Sequence, residues 1–388
     1  MQKRSKKVVI FRKDLLPLSE TFILDQFLSY QGWEAHLAGY RFCDGLDMAG
    51  ISAFTLEGRI RRPFKRIYLK AFQHMQYLGI SSPVFKSYVE KLDAEIIHAH
   101  FGYDAILVYD IARALKIPLV VTLHGSDILF APEVWKKGEA GFFFRCYPRK
   151  LEALFRDPSV FFIAVSKALR EGALKRGVPA ERCLVCYTGS NHRYFFPADP
   201  GHMPSNKVLF VGRLSEFKGC EFLLKAMASV QRQVPQAELV VIGDGPEKLK
   251  LTSMAEELNL KASFLGALPR DQVRDWMTKA RVFCLPSITE STQSFETFGM
   301  VLLEAQLCGV PAVTSARGGS ESIVHNETGF VFAEKDTEAL ANYVTALLTD
   351  DLLWSRFSRA AHEHVLANFT LDACTRRIEA FYDEISRS

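Results

Sequence analysis

Two glutamates eight positions apart, Glu296 and Glu304, enclose the run Thr-Phe-Gly-Met-Val-Leu-Leu, a spacing that suits a sugar nucleotide. Gly299 marks a turn, residues 300–307 read as a helix, and Gly309 followed by Pro311 supplies stop signals. Glu296 is therefore expected on a loop and Glu304 within the helix. Between them, the backbone N–H groups of Phe298, Gly299 and Met300 fall where a helix start carries partial positive charge and can meet a phosphate. One carboxylate is then left for sugar hydroxyls and the other for a ribose. An ordinary strand-to-helix connection with acidic neighbours would look the same, so the rest of the chain must decide.

A strand candidate at 208–211 runs into Gly212-Arg213-Leu-Ser-Glu-Phe-Lys218-Gly219 and then a helix. Arginine offers a planar fork to phosphate oxygens and lysine a compact charge, a combination that could hold a diphosphate. The same cations on a solvated loop remain the alternative. The next two strands end in Gly243-Asp244-Gly245-Pro246 and Gly266-Ala-Leu268-Pro269. Both turns would lie beside a bound base, although strand-to-helix connections use glycine in any case.

In the first half, the strand candidate 119–123 leads into His124-Gly125-Ser126-Asp127. A histidine there can hydrogen-bond a ligand in either protonation state, or be satisfied structurally. Strand alternation puts His98 and His100 on one side, but without clustered carboxylates they do not make a metal site. The loop Pro17-Leu-Ser19-Glu20-Thr21-Phe22 offers Ser19 as the cap of a helix reaching to about Tyr30.

Short β-rich runs alternate with helical periods throughout, which predicts an α/β chain with parallel sheets wrapped by helices. The strand candidates are 8–11, 96–100, 119–123, 161–165 and 184–187, then 208–211, 239–242, 262–265, 282–285, 311–314 and 330–332. Residues 196–204 hold three prolines and a glycine and read as a linker. The expectation is two Rossmann-like, doubly wound parallel-sheet domains facing each other across a cleft, residues 1–197 for an acceptor and 198–370 for a nucleotide-sugar donor. A closing helix within 371–388 is expected to return to the first domain.

With 388 residues the chain can bury two cores, and its 48% hydrophobic and 24% charged composition fits a globular protein. No run reaches the roughly 18 apolar residues of a membrane-spanning helix, and the basic start is interrupted too soon for a signal peptide. The chain therefore reads as cytoplasmic. The eight cysteines form no framework; Cys183 and Cys186 read as buried thiols. The net charge of +4 hides an asymmetry, with 29 Lys and Arg against 20 Asp and Glu in residues 1–200. Part of the excess lies in 59–72, a basic and aromatic segment opening on Arg59 and closing on Phe72. It could rest on an anionic membrane at the inner face or be a solvated helix with an apolar stripe. No recognition module accompanies the charge, which argues against nucleic acid.

Taken together, these residues resemble the retaining glycosyltransferases of the GT-B fold, family GT4. The resemblance covers nearly the whole chain. Its most specific part is the pair Glu296 and Glu304 with the following Gly-Val-Pro, supported by Gly212-Arg213, Lys218-Gly219, Leu285-Pro286-Ser287, Gly318-Gly319 with Glu321, Thr328-Gly329-Phe330 and His124-Gly-Ser-Asp127. The insert 288–294, with Ser19-Glu-Thr-Phe22 and His100-Phe-Gly102, looks most like the branch of bacterial exopolysaccharide assembly, such as colanic acid.

The resemblance implies a metal-independent enzyme without cofactor that moves a sugar from a nucleoside diphosphate, UDP or GDP, to a glycan or lipid-linked saccharide with retention of configuration. By position, Arg213 and Lys218 would bind and stabilise the departing diphosphate, Glu304 the ribose and Glu296 the donor sugar. Phe298, Gly299 and Met300 would give backbone contacts, Gly212, Gly243 and Leu268 would flank the nucleotide, and His124 would touch the transferred sugar. The family's glycine-rich loop after the first strand is missing here, replaced by residues 17–21. A nucleotide-sugar epimerase of the same fold and a non-catalytic nucleotide-sugar-binding protein remain the alternatives.

Overall fold

A computed structural model describes residues 5–15, 17, 20–43, 51–59, 82–130, 135, 145–197, 204–290, 295–315, 317 and 319–387. The chain divides into two compact units, one of Met1–Thr188 with Cys374–Ser388 and one of Gly189–Ala373.

In the first unit, β1 (Lys7–Phe11) is followed by β2 (Asp14–Leu15), α1 (Thr21–Ser29), β3 (Glu34–Gly39), β4 (Arg41–Phe42) and β5 (Ala53–Thr55). Then come α2 (Pro83–Leu92), β6 (Ile96–His100), α3 (Gly102–Leu115), β7 (Leu119–Leu123), α4 (Tyr147–Arg156), β8 (Val160–Ala164), α5 (Lys167–Lys175) and β9 (Cys183–Val185). Seven strands form one sheet in the order β5-β3-β1-β6-β7-β8-β9, and every pairing is parallel. Such a sheet is covered on both faces, which is why β6 and β7 are buried at every position. Local sequence sets the helix starts: Ser82 accepts from the Phe85 N–H ahead of Pro83, and Ser166 accepts from that of Leu169.

The second unit runs β10 (Lys207–Val211), α6 (Cys220–Gln233), β11 (Glu238–Ile242), α7 (Lys248–Glu257), β12 (Ala262–Gly266), α8 (Arg270–Lys279) and β13 (Val282–Leu285). It continues through α9 (Met300–Leu307), β14 (Ala312–Ser315), β15 (Gly329–Phe332), α10 (Thr337–Thr349) and α11 (Asp351–Asn368). Its sheet, β12-β11-β10-β13-β14-β15, is again all parallel. In each sheet the first strand has the second on one side and the fourth of the series on the other. The order therefore reverses beside β1 and β10, where open α/β sheets gather ligands at their carboxyl ends.

The last helix, α12 (Leu371–Ile385), delivers Ile378, Tyr382 and Ile385 to the core of the first unit, among Val8, Trp33, Leu37 and Ile96. Glu379 on the same helix accepts hydrogen bonds at one carboxylate oxygen from the N–H groups of Gln31, Gly32 and Trp33.

Three sequence expectations change or fall outside the described residues. β3 and β5 add strands that no apolar run announced. The cap position of α1 is Glu20, while Ser19 is outside the described residues. So are 60–72, 198–203 and 291–294, which hold most of the basic segment and parts of the linker and insert.

Candidate active site

In the second unit, the loops after β10 and β13 meet where the strand order reverses. After β10 the chain passes Gly212 and an exposed Arg213, makes a short 3-10 turn over Glu216–Lys218, and enters α6 through Gly219. Gly219 has a φ of +67°, and a Cβ there would stand 1.9 Å from the Pro286 carbonyl oxygen. Only glycine lets the loop after β10 lie this close to the loop after β13.

That proximity sets the central contact. Lys218 Nζ forms an ion pair with Glu296 Oε2, and Ser287 Oγ donates to the same oxygen at 3.4 Å. Glu296 is 8% exposed, so its charge is held in place by these partners. The Cβ that Gly319 lacks would be 3.3 Å from Glu296 Cγ, so the small residue leaves the glutamate its position.

The glutamate loop then enters α9 through Gly299, whose φ of +71° is the left-handed turn expected of it. Among the described residues no side chain caps this helix start. Met300, its first residue, is half-buried, and Phe298 is buried with its ring centroid 5.9 Å from that of Phe369. Glu304 lies half-buried in the second turn. The helix closes through Gly309, φ +75°, with the Val310 N–H bonded to the Ala305 carbonyl. On the other side, Gly243 follows β11 with its absent Cβ position only 1.9 Å from the Gly212 carbonyl oxygen. Leu268 is half-buried in the loop after β12. The unit thus pairs Lys218 with Glu296 at this sheet edge, with Arg213 on the same loop as Lys218 and Glu304 in the second turn of α9.

The first unit carries a separate cluster at the equivalent edge. Arg12, just past β1, donates from Nε and Nη2 to the Glu20 carboxylate at 2.7 and 2.8 Å and from Nη1 to Asp104 Oδ2 at 2.6 Å. Burial works against the Arg12 cation, but Asp104 and Glu20 outweigh it and raise its pKa.

Beside it, His124 Nε2 lies 3.1 Å from His100 Nδ1, and the Phe101 and Phe22 rings pack on His124 at 4.3 and 5.2 Å between centroids. Phe101 itself holds a φ of +71° and ψ of 139°, strain of a kind that collects at functional sites. Asp127 organises the turn: Oδ1 accepts from the N–H groups of His124 and Gly125, and Oδ2 from that of Gly102 at 2.8 Å. Burial pushes Asp127 up to about 6 against the opposing effect of those donors. The histidines move the other way. Burial lowers His98 and His124 to about 3, with Arg12 adding to the effect on His124.

Sequence reasoning named Lys218, Glu296 and His124 but gave no role to Arg12, Asp104 or Asp127. The available signals were an arginine directly after a strand and an aspartate within the first turn of α3. Among the described residues no group of three or more His, Cys, Asp and Glu side chains could hold a metal ion. Cys183 and Cys186 are buried free thiols.

Comparison with known proteins gives this arrangement its family. The model for glycosyl transferases group 1 matches residues 196–364, and that for Glycosyltransferase Family 4 matches 25–193, so together they take in most of the chain. The phosphatidylinositol N-acetylglucosaminyltransferase gpi3 subunit of Schizosaccharomyces pombe is 27% identical over 78% of this chain and 64% of its own length. The amylovoran biosynthesis glycosyltransferase AmsK of Erwinia amylovora is 30% identical over 64% of this chain and 60% of its own. The chain thus spans somewhat under two thirds of each. Among solved structures, Anabaena HepE in complex with UDP and glucose superposes with a TM-score of 0.74 at 21% identity, over 97% of this chain and 99% of that one. Two Rossmann-like parallel sheets, the matched family models and this shared fold make the chain a GT-B glycosyltransferase of family 4.

Proposed function

We propose that the protein transfers a sugar, with retention of configuration and without metal, from a nucleoside diphosphate to a glycan or lipid-linked saccharide in bacterial cell-surface polysaccharide synthesis. The observation carrying this reading is the Lys218–Glu296 pair beside the uncapped start of α9. Fixed cations where negative charge develops on a leaving diphosphate stabilise the transition state without reorganisation. In this scheme Lys218 and Arg213 take the diphosphate, the N–H groups of Gly299 and Met300 a phosphate oxygen, Glu304 the ribose and Glu296 a donor-sugar hydroxyl. Gly212, Gly243 and Leu268 flank the nucleotide, and His124 contacts the transferred sugar.

The UDP and glucose named for HepE support a nucleotide-sugar donor, and the amylovoran assignment of AmsK supports polysaccharide assembly. A thermal-shift screen across UDP-, GDP- and ADP-sugars identifies the donor, because a ligand that prefers the folded protein raises its stability. With that donor, Lys218→Ala is expected to lower turnover at least about a hundredfold, and near-normal transfer would refute its role. Chelator is expected to leave turnover unchanged. Donor isomerised without any acceptor would instead identify an epimerase. Contact of residues 59–72 with the inner membrane face is part of the same reading, and equal liposome binding after neutralising Arg61, Arg62, Lys65 and Arg66 would remove it.

A further inference from the structure

Three histidines, His98 and His100 on β6 and His124 just after β7, form a ladder. His98 is held at both ring nitrogens, Nδ1 by the Tyr382 hydroxyl and Nε2 by Thr122 Oγ1 at 2.6 Å, and its ring stacks on that of His100 with centroids 4.8 Å apart. His100 is 1% exposed. Its Nδ1 meets His124 Nε2 at 3.1 Å, with the ring planes 24° apart and the centroids at 5.4 Å. That centroid distance is the N···N separation plus roughly one ring radius at each end. The contact therefore runs edge to edge, as a hydrogen bond between imidazoles requires, and not face to face. Among the described residues the other nitrogen of His100, Nε2, is buried without a hydrogen-bond partner.

Each neutral imidazole carries one proton, so the pair has two arrangements. If His124 Nε2 donated, the proton of His100 would sit on Nε2 as a buried N–H with no acceptor. If His100 Nδ1 donates, its Nε2 keeps only an unpaired lone pair. Orphaned buried N–H groups are the rarer of the two in folded proteins. Burial, with His98, His124 and Arg12 adding to it, holds the His100 pKa well below its ordinary value and so disfavours a second proton on its ring.

We propose that His100 is a positioning residue whose Nδ1–H donates to His124 Nε2 and fixes His124 in the Nδ1–H tautomer, making that histidine a hydrogen-bond donor toward a sugar oxygen. The inference rests on the assignment of His124 to the transferred sugar. An N–H at Nδ1 can donate to any sugar oxygen, whether hydroxyl, ether or ring, whereas a bare Nδ1 would require a hydroxyl as its donor.

Long-range 1H–15N spectra of histidine-labelled full-length protein test the tautomer directly, with the His124 signal identified by its loss in His124→Asn. Wild type is expected to show a protonated Nδ1 and a bare Nε2 on His124. His100→Phe keeps a ring against His98 but lacks the donor, so the bare Nε2 of His124 should lose its hydrogen-bond shift in the 15N dimension and kcat should fall about tenfold. His100→Asn, whose amide nitrogen can replace Nδ1, should retain the wild-type Nε2 shift and kcat within about threefold. Wild-type His124 protonated on Nε2, or an unchanged Nε2 shift in folded His100→Phe, overturns the proposal. If the Nε2 shift changes while turnover does not, His100 positions His124 as proposed and the sugar contact is what fails. Should His100→Phe not fold, the wild-type spectrum alone decides.

Discussion

Removing Lys218 leaves Glu296 as a buried carboxylate without its cation, so two effects are expected from one substitution. Lys218→Ala should lower the stability of the second unit by about 2 kcal/mol, and Lys218→Ala combined with Glu296→Gln should recover much of it while remaining inactive. Chemical denaturation against turnover separates the two. His98, fully buried and lowered to about 3 by burial, has a folded pKa below its ordinary value of 6.5. Its contribution to stability is thus present above pH 6.5 and lost as pH falls toward 3, to the extent of a few kcal/mol. Asp127, raised to about 6, acts in the opposite sense: its contribution is greatest below about 4 and lost as pH rises through 6. Melting temperatures between pH 7 and 4 should fall in wild type and fall less in His98→Gln. The types of these residues were legible in the sequence, but their partners were not. Lys218 and Glu296 are 78 positions apart and Arg12 and Asp104 are 92 apart, and only the sheet order brings each pair together.

Elements built from apolar, β-branched runs were legible almost to the residue, as in β10 (Lys-Val-Leu-Phe-Val), β11 and β13. β3, Glu-Ala-His-Leu-Ala-Gly, contains no β-branched or aromatic residue and β5 spans three positions, so neither announced itself. Both are strands because β1 offers an edge and β3 then offers the next. α9 was read correctly from Gly299, Gly309 and Pro311, and both glycines do take the left-handed conformation at its ends. At Gly243, φ is +139° and a side chain would meet the Gly212 carbonyl oxygen. Gly243→Ala is therefore expected to cost more than about 2 kcal/mol and to weaken donor binding by moving the loop that carries Arg213. Isothermal titration with the donor, alongside a denaturation curve, checks both parts.

At the scale of the molecule, the first unit is assembled from two stretches of sequence, Met1–Thr188 and Cys374–Ser388. Tyr382 is 0% exposed, packs edge-on against Trp33 with centroids 5.2 Å apart, and bonds the Tyr30 hydroxyl at 2.9 Å as well as His98. Tyr382→Ala should destabilise this unit by about 3–5 kcal/mol, and Glu379→Ala by about 1–3 through the three N–H groups it leaves unpaired. Limited proteolysis should then cut the first unit while the second persists.

The divided core also orders events during synthesis. A ribosome releases the amino terminus first, and domains ordinarily close in that sequence. Here the first 188 residues emerge with a gap where Ile378, Tyr382 and Ile385 belong, and the gap stays open until translation has run through the whole of the second unit. The half made first is the half finished last. Until then its apolar core face needs shelter, and a released chain truncated before residue 374 should be held by chaperones, whereas the released 388-residue chain should not.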